Sequence, residues 1–469
     1  MKVELPDTIE GCHSLIEQLF LIIEKQQEEI DLLKQEISEL KERLNQNSRN
    51  SNRPPSGDGF QKPHPKPAFK KKKKNKGGQR GHSGNTLKQV SEPDVVVDCE
   101  PLVCQCGTGE WTLEVEIAET RQVFELPEPR LEVIEYRCLK RRCQCGKISC
   151  GEFPAEVVAR VQYGVRVQAM VSLLSISGCL SFGKIGELFG DLFGYELNTA
   201  TAQTMIQRTS ALMPVQAIKN EVIKSEVVNA DETGIKENDV LKWLHTASSK
   251  NLTYQYAHPK RGKEAMRDEK SILPWFKGVL VHDCWESYFS FSQIRHAICN
   301  AHILRELTGL IENQQSVWGK KMKELLMQMY LASDYGKGVI GEIGTYQDRY
   351  QTILELGEVE EPPAEKVNPK GKLKRSKGRN LLERLKKHKE AVFRFATLAE
   401  VPFTNNQAER DIRQVKVKQR VSSGFRAESG SESFCRIHSL ISTLRKQGRK
   451  VFEELQAIIE GKPFEVFQT

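Results

Sequence analysis

The run Glu226-Val227-Val228-Asn229-Ala230-Asp231-Glu232-Thr233-Gly234 places an acid at the end of a short apolar stretch. Such a stretch reads as a buried strand that delivers its carboxylate to the edge of a sheet. A second run, Gly278-Val279-Leu280-Val281-His282, ends in Asp283 in the same way. Between them, residues 242–248 and 252–257 alternate like the arms of a hairpin, and residues 263–276 carry a helical pattern. Residues 295–299 offer one more strand. A third acid, Glu409, lies in Asn405-Asn406-Gln407-Ala408-Glu409-Arg410, where a helical, basic segment starts.

The order strand-strand-strand-helix-strand, with acids closing the first and fourth strands, is that of a ribonuclease H-like α/β domain, placed at residues 223–435. Residues 303–400, helical and polar with a basic, glycine-containing break, separate the second acid from the third and read as an inserted helical region. Three carboxylates delivered in this way suit two hard cations. Such a pair activates a water or a 3′-hydroxyl and stabilises the leaving oxygen of a phosphodiester. Glu232 and Glu286 are the nearest other acids, and Glu232, next to Asp231 on a strand, should face the opposite side.

At 469 residues and 38% hydrophobic content the chain is long enough for two to four domains with real cores. The net charge of +8 is unevenly spread. Lys70 to Lys74 is an unbroken lysine run, continued by Lys76 and Arg80, and residues 366–394 hold twelve Lys or Arg against two acids. Blocks of this kind suit a polyanion, with Lys72, Lys73 and Lys74 candidate contacts to nucleic acid. The absence of a stretch of about 18 apolar residues and of a signal peptide leads to the expectation of a soluble, cytoplasmic, nucleoid-associated protein with no membrane partner. In that setting twelve cysteines point to metal binding rather than to a disulfide framework.

Residues 1–48 are expected to form a coiled-coil helix. Ile16, Ile23, Ile30, Ile37 and Leu44 fall at a, and Leu19, Gln26, Leu33 and Leu40 at d. That pattern favours a parallel two-stranded coil over one amphipathic helix packed on its own domain. Residues 49–90 read as a basic, disordered linker. Within residues 91–155, Cys99-x4-Cys104-x-Cys106-Gly107 is echoed by Cys138-x4-Cys143-x-Cys145-Gly146, with a β-like stretch at 111–136 between them. Two knuckles, each closed by a glycine, describe a zinc ribbon holding one structural Zn²⁺. Cys104, Cys106, Cys143 and Cys145 are the first choice of ligands, with Cys99 and Cys138 as substitutes and Cys150 as a spare. Residues 156–222 form a helical segment compatible with a DNA-binding helix-turn-helix or with a plain helical hairpin, and residues 436–469 a helical tail.

These motifs resemble those of transposases of the insertion-sequence 66 family, over nearly the whole chain. The resemblance runs through Leu44-Asn45-Gln46-Asn47-Ser48-Arg49-Asn50-Ser51, Pro54-Pro55-Ser56 and Lys76-Gly77-Gly78-Gln79-Arg80-Gly81-His82. It continues through Ala230-Asp231-Glu232-Thr233, Asp283 with Tyr288, Cys299-Asn300-Ala301-His302 with Arg305, and the Asn405 to Arg410 motif with Arg413. Gly424-Phe425 and Ser439-Leu440-Ile441 resemble the region beyond. Cys-x-Cys stands where the family more often has Cys-x-x-Cys, which leaves the ribbon ligands open. The resemblance implies a DNA transposase with a DDE site of Asp231, Asp283 and Glu409 holding two Mg²⁺, and with Arg410 and Arg413 at neighbouring phosphates. It implies transposon-end and target DNA as partners, a homodimer or higher assembly, and helper proteins of the same element. Cys299 and His302 are expected to stabilise the fold beside the site rather than to bind a catalytic metal. The rivals are a zinc-containing DNA-binding regulator and a nuclease that cleaves without joining.

Overall fold

The computed structural model describes residues 8–53, 58, 87–100, 107, 113, 115–363 and 375–467; Lys72, Lys73, Lys74, Cys104 and Cys106 lie outside them. The chain divides into two compact units. One comprises Met1–Lys66, Ala159–Gly186 and Leu197–Thr469, the other Pro67–Val158 and Glu187–Glu196.

The chain enters through helix α1 (Ile9–Asn45), whose first turn is capped by the Thr8 hydroxyl accepting from the Gly11 amide at 3.2 Å. Its heptad residues Ile16, Ile23, Ile30, Leu33, Ile37 and Leu40 are each about half exposed, an apolar stripe along a charged helix.

In the smaller unit, β1 (Lys140–Arg142) and β2 (Ile148–Cys150) pair antiparallel, with Arg142 opposite Ile148. The turn between them is the second cysteine knuckle. The Cys143 amide donates to Lys147 O at 2.8 Å, the Gly146 amide to Cys143 O at 2.9 Å, and Gly146 takes the φ of +84° that glycine tolerates. Gly107, at the first knuckle, has a φ of +81°. The expected β-like stretch is corrected here: residues 115–136 form no ladder. Val115, Ile117 and Val123 alternate with polar residues but stand in solvent, and alternation without a buried face does not specify a strand. The Gln122 side chain instead pairs with both backbone groups of Val90, at 2.7 and 2.8 Å.

Four helices follow: α2 (Val165–Ile176), α3 (Phe182–Phe193), α4 (Thr199–Leu212) and α5 (Val215–Lys224). Asn198 caps α4, its side chain accepting from the Ala200 amide at 2.8 Å, as the Asn-Thr-Ala-Thr sequence predicts.

The five-stranded sheet comes next: β3 (Val227–Glu237), β4 (Val240–Ser248), β5 (Thr253–His258), β6 (Val279–His282) and β7 (Arg295–Ile298), in spatial order β5-β4-β3-β6-β7. β3, β4 and β5 form an antiparallel meander, while β6 runs parallel to β3 and β7 parallel to β6. Gly278 lets β6 enter beside β3, since a Cβ there would meet Glu226 O at 2.5 Å. The helix expected at 263–276 is shorter: α6 spans Lys263–Arg267. Asp268 stops it by turning extended and accepting from the Lys270 amide at 2.8 Å, a local bond that competes with the helical ladder.

Helices α7 (Asn300–Gln314), α8 (Val317–Ala332), α9 (Ile343–Glu360), α10 (Lys377–Lys387) and α11 (Lys389–Thr397) fill the region between the second and third acids. They share one core with the parallel half of the sheet: Val279, Val281, Ala297 and Ile298 pack with Trp318, Met322, Tyr350, Leu382 and Phe395. The helical region is therefore fused to the sheet rather than tethered beside it. Helix α12 (Asn406–Ser422) packs on β3 and β4, α13 (Gly430–Lys446) on β5, and α14 (Val451–Ile459) on α2. No helix among the described residues is long and apolar enough to cross a membrane.

Candidate functional site

Alternation along β3 puts Asn229 and Asp231 on one face and Glu232 on the other. Asp231 Oδ1 accepts from the Glu232 amide at 2.9 Å. One strand away, β6 ends at His282 and the chain turns sharply. Asp283 Oδ1 accepts from the Trp285 amide at 3.1 Å, and Cys284 between them is held at a φ of +72°. A non-glycine residue in that region is strained, and such strain persists only where its surroundings enforce it. The enforcement is visible. The Cys284 amide donates to His282 Nδ1 at 3.2 Å, so His282 Nε2 carries the proton and donates to His296 Nδ1 at 3.1 Å. His296 Nε2 in turn donates to Phe291 O at 3.2 Å. Burial, with His296 beside it, holds His282 well below the usual imidazole range, so this chain stays neutral.

Glu409 is positioned through Asn405, which is completely buried at the start of α12. The Asn405 side chain donates to Ala230 O at 2.8 Å and accepts from Asn229 Nδ2 at 2.9 Å. Its backbone amide donates to Cys299 Sγ at 3.1 Å, and its carbonyl accepts from the Glu409 amide at 3.2 Å. One asparagine thus ties the first turn of α12 to the residue preceding Asp231 and to the end of β7. The result is electrostatic. Burial and the charges of Glu232, Asp283 and Glu409 hold the Asp231 carboxyl well above the usual carboxylate range. Asp283 and Glu409, both far from Asp231 in sequence, thus add their charges to its surroundings, and like charges about an oxygen donor are what a divalent cation relieves.

Glu232 is committed elsewhere. It accepts from Arg261 at 2.8 and 3.0 Å and from the Tyr288 hydroxyl at 2.6 Å. Arg261 lies between the Trp243 and Trp285 rings, 4.9 and 4.3 Å from their centroids. Burial and the nearby Asp283 charge still push the Glu232 carboxyl up. Arg261 carried no sequence signal, because its pairing depends on β3 and the segment after β5 coming together. Tyr288 was visible only as the aromatic five residues beyond Asp283. Glu286 is exposed and paired at 2.6 Å with Lys387, which holds its carboxyl below the usual range.

Cys299, His302 and Glu409 meet: one ligand atom from each lies within 4.8 Å of the others. Burial pushes the Cys299 thiol up to about 11. Arg410 and Arg413 are exposed on α12, one turn apart. Of the ribbon candidates, Cys143 and Cys145 sit together in the knuckle, where the Cys145 amide pulls the Cys143 thiol below its usual range.

Comparison with known families bears on this arrangement. A family model described as Transposase IS66 family matches residues 160–433, more than half of the chain and all of the sheet and α12. A second, described as Family of unknown function (DUF6444), matches residues 4–88. No curated protein matches the chain.

Proposed function

The chain belongs to the transposase IS66 family, and from that premise we propose a DNA transposase that cleaves at the ends of an insertion sequence and joins 3′-hydroxyls to target DNA at a DDE site formed by Asp231, Asp283 and Glu409. The observation that carries the reading is geometric: Asn405, at the start of the helix that bears Glu409, bonds Ala230 O beside Asp231 at 2.8 Å. Three-stranded antiparallel pairing followed by two parallel strands supports a ribonuclease H-like domain at 223–435.

Asp231 and Asp283 would hold two Mg²⁺, with Glu409 completing the second position. The donor set fits, being oxygen alone and anionic. Bound there, the ions supply activation of a water or 3′-hydroxyl and charge stabilisation at the leaving oxygen. The chain's own groups supply position. Asn405 fixes the start of α12 against β3, the His282–His296 chain holds the turn that presents Asp283, and Arg261 with Tyr288 anchors Glu232 outside the set. Arg410 and Arg413 supply charge to flanking phosphates, and the lysines at 72–74 a less specific attraction.

In the same reading, the heptads of α1 pair two chains so that two element ends are held together. One structural Zn²⁺ closes the ribbon through Cys143 and Cys145 with Cys104 and Cys106, a use that suits the thiolate-favouring setting of Cys143. Full-length protein incubated with Mg²⁺ and DNA carrying the sequences that flank its own gene tests the proposal. Joined strand-transfer products are expected. Cleavage without joining would make the protein a nuclease, and binding alone a regulator.

A further inference from the structure

Cys299, His302 and Glu409 form a donor set that hard-cation chemistry does not use. Cys299 closes β7 and precedes α7, His302 lies in the first turn of α7, and Glu409 in the first turn of α12. Their ligand atoms lie within 4.8 Å of one another. Two of the three donors are idle: His302 Nδ1 and Glu409 Oε1 are both buried and hydrogen-bond to nothing. A buried polar atom left unpaired is costly, so two of them in one donor set need a physical reason. Cys299 Sγ accepts from the Asn405 amide at 3.1 Å, the kind of amide-to-sulfur bond that supports a thiolate bound to metal.

We propose that Cys299, His302 and Glu409 bind a borderline-soft divalent transition metal such as Zn²⁺, at a site that borrows the third acid of the Mg²⁺ centre. A thiolate, an imidazole and one carboxylate with a fourth position open is a three-protein-ligand zinc arrangement. Bonds of about 2.0–2.3 Å place tetrahedral ligand atoms roughly 3.3–3.7 Å apart, so small side-chain rotations from the observed spacing complete it. Mg²⁺ prefers oxygen and gains little from sulfur or imidazole nitrogen. Binding exchanges the Cys299 S–H bond for a sulfur–metal bond and releases the proton to solvent.

The consequence, which rests on the transposase reading, is antagonism. Glu409 held by Zn²⁺ is withdrawn from Mg²⁺, so a transition metal would switch off strand transfer without touching DNA binding.

Cobalt(II) titration of the full-length protein is the test, followed by absorption spectroscopy and by metal analysis after desalting. Wild type should bind about one equivalent more than Cys299→Ala or His302→Ala. The difference spectrum between wild type and each variant should contain a thiolate-to-cobalt charge-transfer band, and excess Mg²⁺ should not remove it. Ribbon cysteines contribute equally to all three proteins and cancel. His302→Ala, at a half-buried position, keeps the test decisive should Cys299→Ala fold poorly. Equal cobalt content in wild type and both variants, or a difference without the thiolate band, would overturn the site. In parallel, inhibition of Mg²⁺-supported joining by Zn²⁺, scored against each protein's zinc-free rate, should need roughly tenfold or more Zn²⁺ in Cys299→Ala than in wild type. Equal sensitivity would overturn the antagonism. Should the protein join no DNA, the cobalt measurement still decides the metal site, so failure of the transposase reading is distinct from failure of this one.

Discussion

At Asp231 a buried carboxyl stands among like charges, and its ionisation strains the fold. Its native pKa is raised, so between an unfolded value of about 3.9 and the raised native one the native chain binds more protons than the unfolded chain. Stability contributed at this position is therefore lost as pH rises through that window. Asp231→Asn should raise the melting temperature of the metal-free protein at neutral pH, by about 1 °C for each kcal/mol of repulsion removed. Millimolar Mg²⁺ should raise that of wild type and leave the variant nearly unchanged. Calorimetry checks both, and a variant that melts lower without metal would show that Asp231 is not under the repulsion described. Asp231 and Asp283 were legible in sequence because apolar runs end in them. Glu409 was legible only through its motif. Asn405, which positions Glu409, was present in that motif, but its role depends on contacts with Ala230 and Cys299 that no local pattern reveals.

Among the elements, α12 is held to the sheet by more than its first turn. Asp411, one helical residue beyond Arg410, accepts from Ser248 at 2.5 Å, Thr253 at 2.9 Å and Lys446 of α13 at 2.8 Å, joining α12, β4, β5 and α13. Burial pushes the Asp411 carboxyl up, but Lys446 and the two hydroxyls outweigh it, and the net shift is downward. This contribution to stability is present above about pH 3.9 and is lost as pH falls toward the native value. Asp411→Ala leaves the Lys446 ammonium buried without its partner and should cost about 3–5 kcal/mol, read from urea unfolding. A loss under about 1 kcal/mol would mean that the network is dispensable. The same acid reads in sequence as an ordinary helix-surface residue, since its partners come from three other elements. The strands were more legible. β4, β5, β6 and β7 appear within a few residues of the alternating and apolar runs, because each buries at least one face in the sheet. The stretch at 115–136 had the alternation and no face to bury, and α6 was cut short by the local bond at Asp268.

On the scale of the whole molecule, the segment after α1 is tied to the helical region: Arg49 and Asn50 bond Glu312, and Asn52 bonds Glu306 at 3.0 Å. Gly309 permits this approach, since a Cβ there would meet Asn50 O at 2.4 Å. The exposed heptad stripe of α1 is thereby attached directly to the body that carries the three acids. Ile30→Lys with Ile37→Lys places cations in that stripe and should turn a dimer into a monomer by light scattering, with paired-end activity falling and the metal-free fold unchanged. A wild type already monomeric would mean that the stripe does not pair chains. The central claim is that Asp231, Asp283 and Glu409 form one phosphoryl-transfer centre. Its most direct measurement is strand transfer in Mg²⁺ by Asp231→Asn, Asp283→Asn and Glu409→Gln, with DNA binding measured on the same preparations. Each variant removes a charge proposed to hold metal and little volume, so each should lose joining by at least about a hundredfold while binding DNA as wild type does. Near-normal joining by any one of the three, with its fold intact, would contradict the claim.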